Sequence, residues 1–142
     1  MVNTICAIAN IGPERSGKII IGVTDNNSDK DRIKSLDNIE PKKVGRRYVV
    51  GVSREAKALG MSLEDYFSIW KKAIKQSDLS ANLRDSILSN MDFNEFYGLG
   101  VIIITIPPQK ELSYVGENVY WRNGDATELA KTKDVARLAR NF

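Results

Sequence analysis

The sequence predicts a mixed α/β domain, and three of its features carry that prediction. Residues 99–106 read Leu-Gly-Val-Ile-Ile-Ile-Thr-Ile, a strand-length apolar run stopped by Pro107-Pro108. Leu63, Tyr66, Phe67, Trp70 and Ile74 recur at three- and four-residue steps, the spacing of a helix with one apolar face. Residues 18–23 contribute Ile19, Ile20, Ile21 and Val23, a β-branched run expected to form a buried strand. The chain has 142 residues, 42% of them apolar, which suits one domain over residues 1–142 with a single packed core. The expected architecture is a mixed sheet of about four strands with helices packed on it.

The remaining elements follow in order. Val2, Ile5, Cys6 and Ala9 are at helical spacing, and Gly12-Pro13 ends that helix. Residues 24–37 are rich in Asp, Asn, Ser and Lys and predict a polar loop. A second strand is expected over 46–52, around Tyr48-Val49-Val50, and a short helix over 53–59 with Gly60 at its end. Ser62 is a good N-cap for the amphipathic helix, with Glu64 and Asp65 in its first turn. The aromatic stripe on that helix is read as core. Residues 79–91 predict another helix with Leu83, Ile87, Leu88 and Met91 on one face. A short strand over 118–123 leads into a Gly124-Asp125 turn, and Thr132 is the expected cap of a last helix.

Composition excludes several kinds of chemistry. The chain contains no histidine, which removes histidine-dependent triads, histidine general bases and most zinc sites. Its one cysteine, Cys6, cannot form an internal disulfide, so a reducing, cytoplasmic setting is expected. No segment reads as a signal peptide or approaches the roughly 20 apolar residues of a membrane span, and no membrane partner is expected. Net charge is +3, but its distribution is uneven: Lys42, Lys43, Arg46, Arg47, Arg54 and Lys57 are opposed only by Glu55 within residues 42–57. Such a cluster suits a phosphate-facing patch and suits a solvated face equally well.

Residues 12–18 match the start of a phosphate-binding loop, G-x-x-x-x-G-K, but Ile19 stands where a magnesium-holding Ser or Thr is needed. The predicted order is also reversed, helix to strand instead of strand to helix, so ATP is not expected and a plain helix-to-strand turn is preferred.

Three further blocks occur in order: Ala7-Ile8-Ala9-Asn10, then Gly17-Lys18-Ile19-Ile20-Ile21-Gly22-Val23-Thr24-Asp25, and later Tyr120-Trp121-Arg122-Asn123-Gly124-Asp125-Ala126-Thr127. Together they resemble the Schlafen AlbA_2 domains, whose pattern runs A-F-A-N-T-x-G-G, I-G-V-x-D and Y-x-R-x-G-S-x-T. The resemblance spans nearly the whole chain. It departs at residues 11–17, longer than the family's T-x-G-G, and in the long middle region from 44 to 91.

The resemblance implies a nucleic-acid-binding domain of a regulatory or defence protein, with RNA or DNA as partner; the expected contacts are phosphates for Arg122 and Thr127 and for the cations Lys18, Lys42, Lys43, Arg46 and Arg47, and a stacked base for an aromatic neighbour such as Tyr120. Strand alternation puts Tyr120 and Arg122 on one face and Trp121 on the other. A guanidinium there can fork onto phosphate, or pair with a surface acid instead. The resemblance also implies an alternative, a metal-dependent ribonuclease using Mg or Mn, with Asp25 as catalytic acid and metal ligand. The family's other two acids precede the A-F-A-N block, and no residue of this chain matches them. The chain is therefore expected to lack the family's N-terminal helix, to be completed by further domains or a second copy, and to lean away from catalysis. A third reading is a protein-interaction module that binds no nucleic acid.

Overall fold

The computed structural model of the protein describes residues 1–24, 42–44, 47–96 and 98–142. Helix α1 (Val2–Ala9) leads through the Gly12-Pro13 turn into β1 (Gly17–Ile21) and β2 (Val23–Thr24). After β3 (Lys42–Val44) and β4 (Arg47–Val49) come helices α2 (Ser53–Ala58), α3 (Leu63–Lys75) and α4 (Ala81–Ser89). Strands β5 (Met91–Phe96) and β6 (Leu99–Ile106), the pair β7 (Tyr120–Asn123) and β8 (Ala126–Leu129), and helix α5 (Thr132–Ala139) complete the chain. The α/β class is the one expected. Its strands, among the described residues, are divided among three sheets ordered β1-β6-β5, β2-β4-β3 and β7-β8.

The central position of β6 explains its composition. Both of its faces are largely buried, and a strand covered on both faces tolerates an apolar side chain at nearly every position. Ile102, Ile104 and Ile106 are fully buried. By contrast β1 lies at the edge of that sheet and its burial alternates, with Ile20 left 42% exposed. The buried strand expected over 18–23 is thus a half-buried edge strand. It also ends early: Gly22 adopts φ +103° and turns the chain, so Val23 and Thr24 pair with Val49 and Tyr48 in a different sheet.

The described residues gather into two compact units. One comprises Ile20–Trp70 and Asp92–Ile103. Here β4 pairs antiparallel with both β2 and β3, a hairpin partner the sequence pattern did not suggest. Gly60 follows α2 with φ +69°, as a helix-ending glycine should. Ser62 caps α3 as expected, its Oγ accepting from Asp65 N at 3.1 Å. Of the aromatic stripe, Tyr66 is buried and its hydroxyl donates to the Glu55 carboxylate, Phe67 is half-buried with its ring tilted against Phe93, centroids 4.6 Å apart, and Trp70 is half-buried. Burial, then the Glu55 hydrogen bond, pushes the Tyr66 phenol above its ordinary pKa.

The other unit comprises Met1–Ile19, Lys71–Met91 and Ile104–Phe142. Leu83 and Ile87 anchor α4, which is shorter than the helix expected over 79–91 because Asn90 closes it, its Nδ2 donating to Ser86 O at 2.7 Å. Met91 then begins β5 instead of continuing the helical face. The last helix starts one residue from the cap expected at Thr132: Lys131 holds the N-cap position, and its N–H donates to Asp134 Oδ2 at 3.2 Å. Among the described residues no helix is long and apolar enough to cross a membrane.

Candidate nucleic-acid interface

Ile5, Cys6, Ala7 and Ala9 bury one side of α1, and the helix ends at Asn10, itself 1% exposed. A buried amide must find partners on both its ends. Asn10 Oδ1 accepts from Ser113 N at 2.8 Å, and Nδ2 donates to Ser113 O at 3.1 Å and Tyr120 O at 2.9 Å. One side chain therefore ties the end of α1 to the segment before β7 and to the first residue of β7. The Asn10 of the A-I-A-N block is spent on positioning the site, with no donor left pointing outward.

Cys6 belongs to the same knot, donating to Ser113 O at 3.3 Å. Burial pushes its thiol pKa up, opposed in part by hydrogen bonds from the Tyr120 backbone and the Asn10 side chain. A buried thiol with a raised pKa has little thiolate to react. Cys6 should therefore resist a thiol-specific disulfide reagent at neutral pH in the native protein, and label promptly in urea. Rapid native labelling would contradict the packing of α1.

The β7–β8 hairpin places the other residues. Gly124, with φ +65°, sits in its two-residue loop, where a left-handed backbone is needed for the turn to match the strands' twist. The register pairs Tyr120 with Leu129, Trp121 with Glu128 and Arg122 with Thr127. Alternation then separates the faces as expected. On one face, Arg122 Nη1 donates to Thr127 Oγ1 at 3.0 Å, and Thr127 in turn reaches Thr4 of α1 at 3.4 Å. On the other, Trp121 packs against Leu112, Val119 and Leu138. The Arg137 guanidinium of α5 lies over its ring, 5.0 Å from the centroid, close enough for a cation–π attraction.

These residues border a cleft of 180 Å³ lined by Asn10, Ile11, Trp121, Arg122, Arg137, Leu138 and Asn141. Two arginines line it and no carboxylate does. Of the two fates the sequence left open for Arg122, pairing with a surface acid does not occur: its partner is the neutral Thr127, and no carboxylate lies in salt-bridge range among the described residues. Arg137 does meet Asp134, at 3.5 Å on the surface, an arrangement worth little and easily exchanged for another anion. The indole N–H of Trp121 is buried without a hydrogen-bond partner among the described residues.

Arg137 was absent from the residues singled out in the sequence. It occupies an ordinary position on an amphipathic helix, and only the docking of α5 on β7 brings it to Trp121 and into the lining that Arg122 shares. Of the other expected contacts, Tyr120 and Thr127 share the Arg122 face, and Lys18 is exposed on β1 in the same unit but does not line the cleft. The backbones of Lys42, Lys43 and Arg47 form β3 and β4 of the other unit. Arg46 and Asp25 lie outside the described residues. Among the described residues no group of three acidic, cysteine or histidine side chains could hold a metal ion.

A family model described as Schlafen, AlbA_2 matches residues 1–131 of the chain. No curated protein and no solved structure matches it significantly.

Proposed function

Since the chain belongs to the Schlafen AlbA_2 family, we propose that it is a nucleic-acid-binding domain that holds RNA or DNA by the phosphates, with the cleft between β7 and α5 as the principal contact. The observation that carries this reading is a cleft lined by two arginines, Arg122 and Arg137, and by no carboxylate, with Trp121 in the same lining. A planar guanidinium presents parallel N–H donors that match two phosphate oxygens at once, and it stays charged at any physiological pH. Thr127 holds the Arg122 side chain in place, so less freedom is lost when phosphate arrives. Lys18 and the cluster of Lys42, Lys43, Arg46 and Arg47 are proposed as additional cations for the same strand.

Contacts of this type position a strand but do not read its sequence. Little discrimination among bases is expected. Affinity should instead fall steeply with salt, because each phosphate neutralised releases counterions, contributing about 0.7 to the log–log slope on a single strand. Fluorescence anisotropy with labelled oligouridylate and oligothymidylate, titrated over a series of salt concentrations, tests this. Arg122→Ala should weaken binding about tenfold at low salt, the order expected for one charge-assisted contact, and reduce the slope by about 0.7. An affinity indifferent to salt, or an Arg122→Ala protein that binds like the parent, would overturn the reading.

A further inference from the structure

We propose that a second groove in the same unit, between α3 and α4, takes a further stretch of the phosphate backbone of the same strand; this rests on the function proposed above and extends it. The groove is lined by Lys71, Lys72, Lys75, Gln76, Leu88 and Ser89, and its volume of 740 Å³ is several times that of the arginine cleft. Neither the sequence motifs nor the family blocks drew attention to it.

The arrangement of charge is the argument. Lys71 and Lys75 are four apart on α3, and Lys72 and Lys75 three apart, so the ammonium groups are helix-surface neighbours that repel one another. The place of Lys72 and Lys75 in the last turn moderates this repulsion, because the carbonyl end of a helix favours cations. That accounts for lysines on α3, but not for the groove wall supplied by the other helix. Leu88 and Ser89 of α4 make the surface concave, and a concave surface lined by one sign of charge concentrates its field on whatever enters. No carboxylate lines the groove. Neither Lys72 nor Lys75 forms an ion pair among the described residues.

The chemistry selects a polyanion over a small ligand. The groove is too roomy to be filled by one phosphate group. Its charges are point cations on flexible stems, which track a chain of phosphates without demanding one geometry. The Ser89 hydroxyl is already donating to Asp85 O at 2.9 Å, so the lysines and the Gln76 amide are the donors on offer. The lysine groove and the arginine cleft belong to one compact unit, and a strand long enough to reach both would gain affinity from linking two weak contacts.

The experiment is a comparison of K72E/K75E, K72Q/K75Q and R122A with the parent protein, measured by anisotropy on a long oligouridylate across a salt series, with circular dichroism melting to verify folding. The two glutamines remove charge without placing acids at a helix C-terminus, so they remain informative should the glutamates unfold α3. Each double variant should lower the log–log slope by about 1.4, two phosphates at about 0.7 each, and K72E/K75E should bind at least tenfold more weakly at low salt. Combining K72Q/K75Q with R122A should add the two effects. Folded lysine variants with the affinity and slope of the parent would overturn the groove while leaving the arginine cleft intact. Failure of the parent protein to bind any oligonucleotide would overturn both. A parent that binds poly-glutamate more tightly than oligouridylate, and loses that preference in K72Q/K75Q, would assign the groove to an acidic polypeptide and overturn the proposal.

Discussion

Replacing Asn10 with alanine should lower the unfolding free energy by about 3–5 kcal/mol. The change deletes the donor that satisfies Ser113 O and Tyr120 O and the acceptor that satisfies Ser113 N. Loss of a typical hydrogen bond is worth about 1 kcal/mol, and a backbone N–H left buried without a partner adds about 1–3 kcal/mol. A small void at a position only 1% exposed adds to this. Asn10→Asp is the sharper variant. Its volume is nearly unchanged, yet an ionised carboxylate would face two carbonyl oxygens where Nδ2 now donates. That environment disfavours the charged form, so the folded-state pKa of the introduced acid should rise above its unfolded value. The native state then binds more protons than the unfolded chain, and stability should increase as pH falls through that raised pKa. Urea titrations at several pH values measure both effects. A loss under about 1 kcal/mol for Asn10→Ala, or an Asn10→Asp protein most stable at high pH, would show that Asn10 is not the clasp described.

The second large effect concerns Gly51. Its φ of +76° lies in the left-handed region, and a Cβ built there would sit 2.7 Å from Leu99 Cβ and 3.0 Å from Leu99 Cα. Left-handed backbone costs a non-glycine residue about 1–2 kcal/mol, and overpacking against a fixed neighbour about 1–3 kcal/mol. The contact with Leu99 involves main chain, which cannot rotate away. Gly51→Ala should therefore destabilise by about 2–5 kcal/mol, read from the urea midpoint at unchanged slope. Gly51 N and Val50 N both donate to Gly22 O, at 2.8 and 2.9 Å, and Val52 N donates to Gly100 O at 2.8 Å, so a shift of this backbone would strain that whole junction. Gly60→Ala makes the control: its φ is +69° but nothing lies within 4 Å of the position, so only the backbone contribution should appear. Equal losses at the two glycines would mean that the close approach to Leu99 carries no energy.

Much of the secondary structure was legible because it rests on interactions between near neighbours in the chain. The helix over Leu63–Lys75 follows from side chains repeating on one face and from a serine able to cap its first turn. The strand over Leu99–Ile106 follows from a β-branched run ended by two prolines. Where the expectations missed, a longer-range partner decided. Residues 19–21 are uniformly apolar, yet β1 is an edge strand that alternates, and Gly22 diverts the next residues into another sheet. Residues 91–96 lack a strong strand pattern but pair with β6.

The candidate site divides in the same way. The alternation that puts Arg122 and Trp121 on opposite faces of β7 is a property of any strand, so the sequence alone determined it, along with the ordered blocks that carry the family resemblance. The tertiary structure decided the rest. Asn10 meets residues 113 and 120 only because α1 packs where it does. Arg137 reaches Trp121 only through the docking of α5, and the lysines of α3 face a groove only because α4 supplies its other wall. Periodicity reports which way a side chain points from its own element. It carries no information about what another part of the chain, a hundred residues away, will bring to meet it.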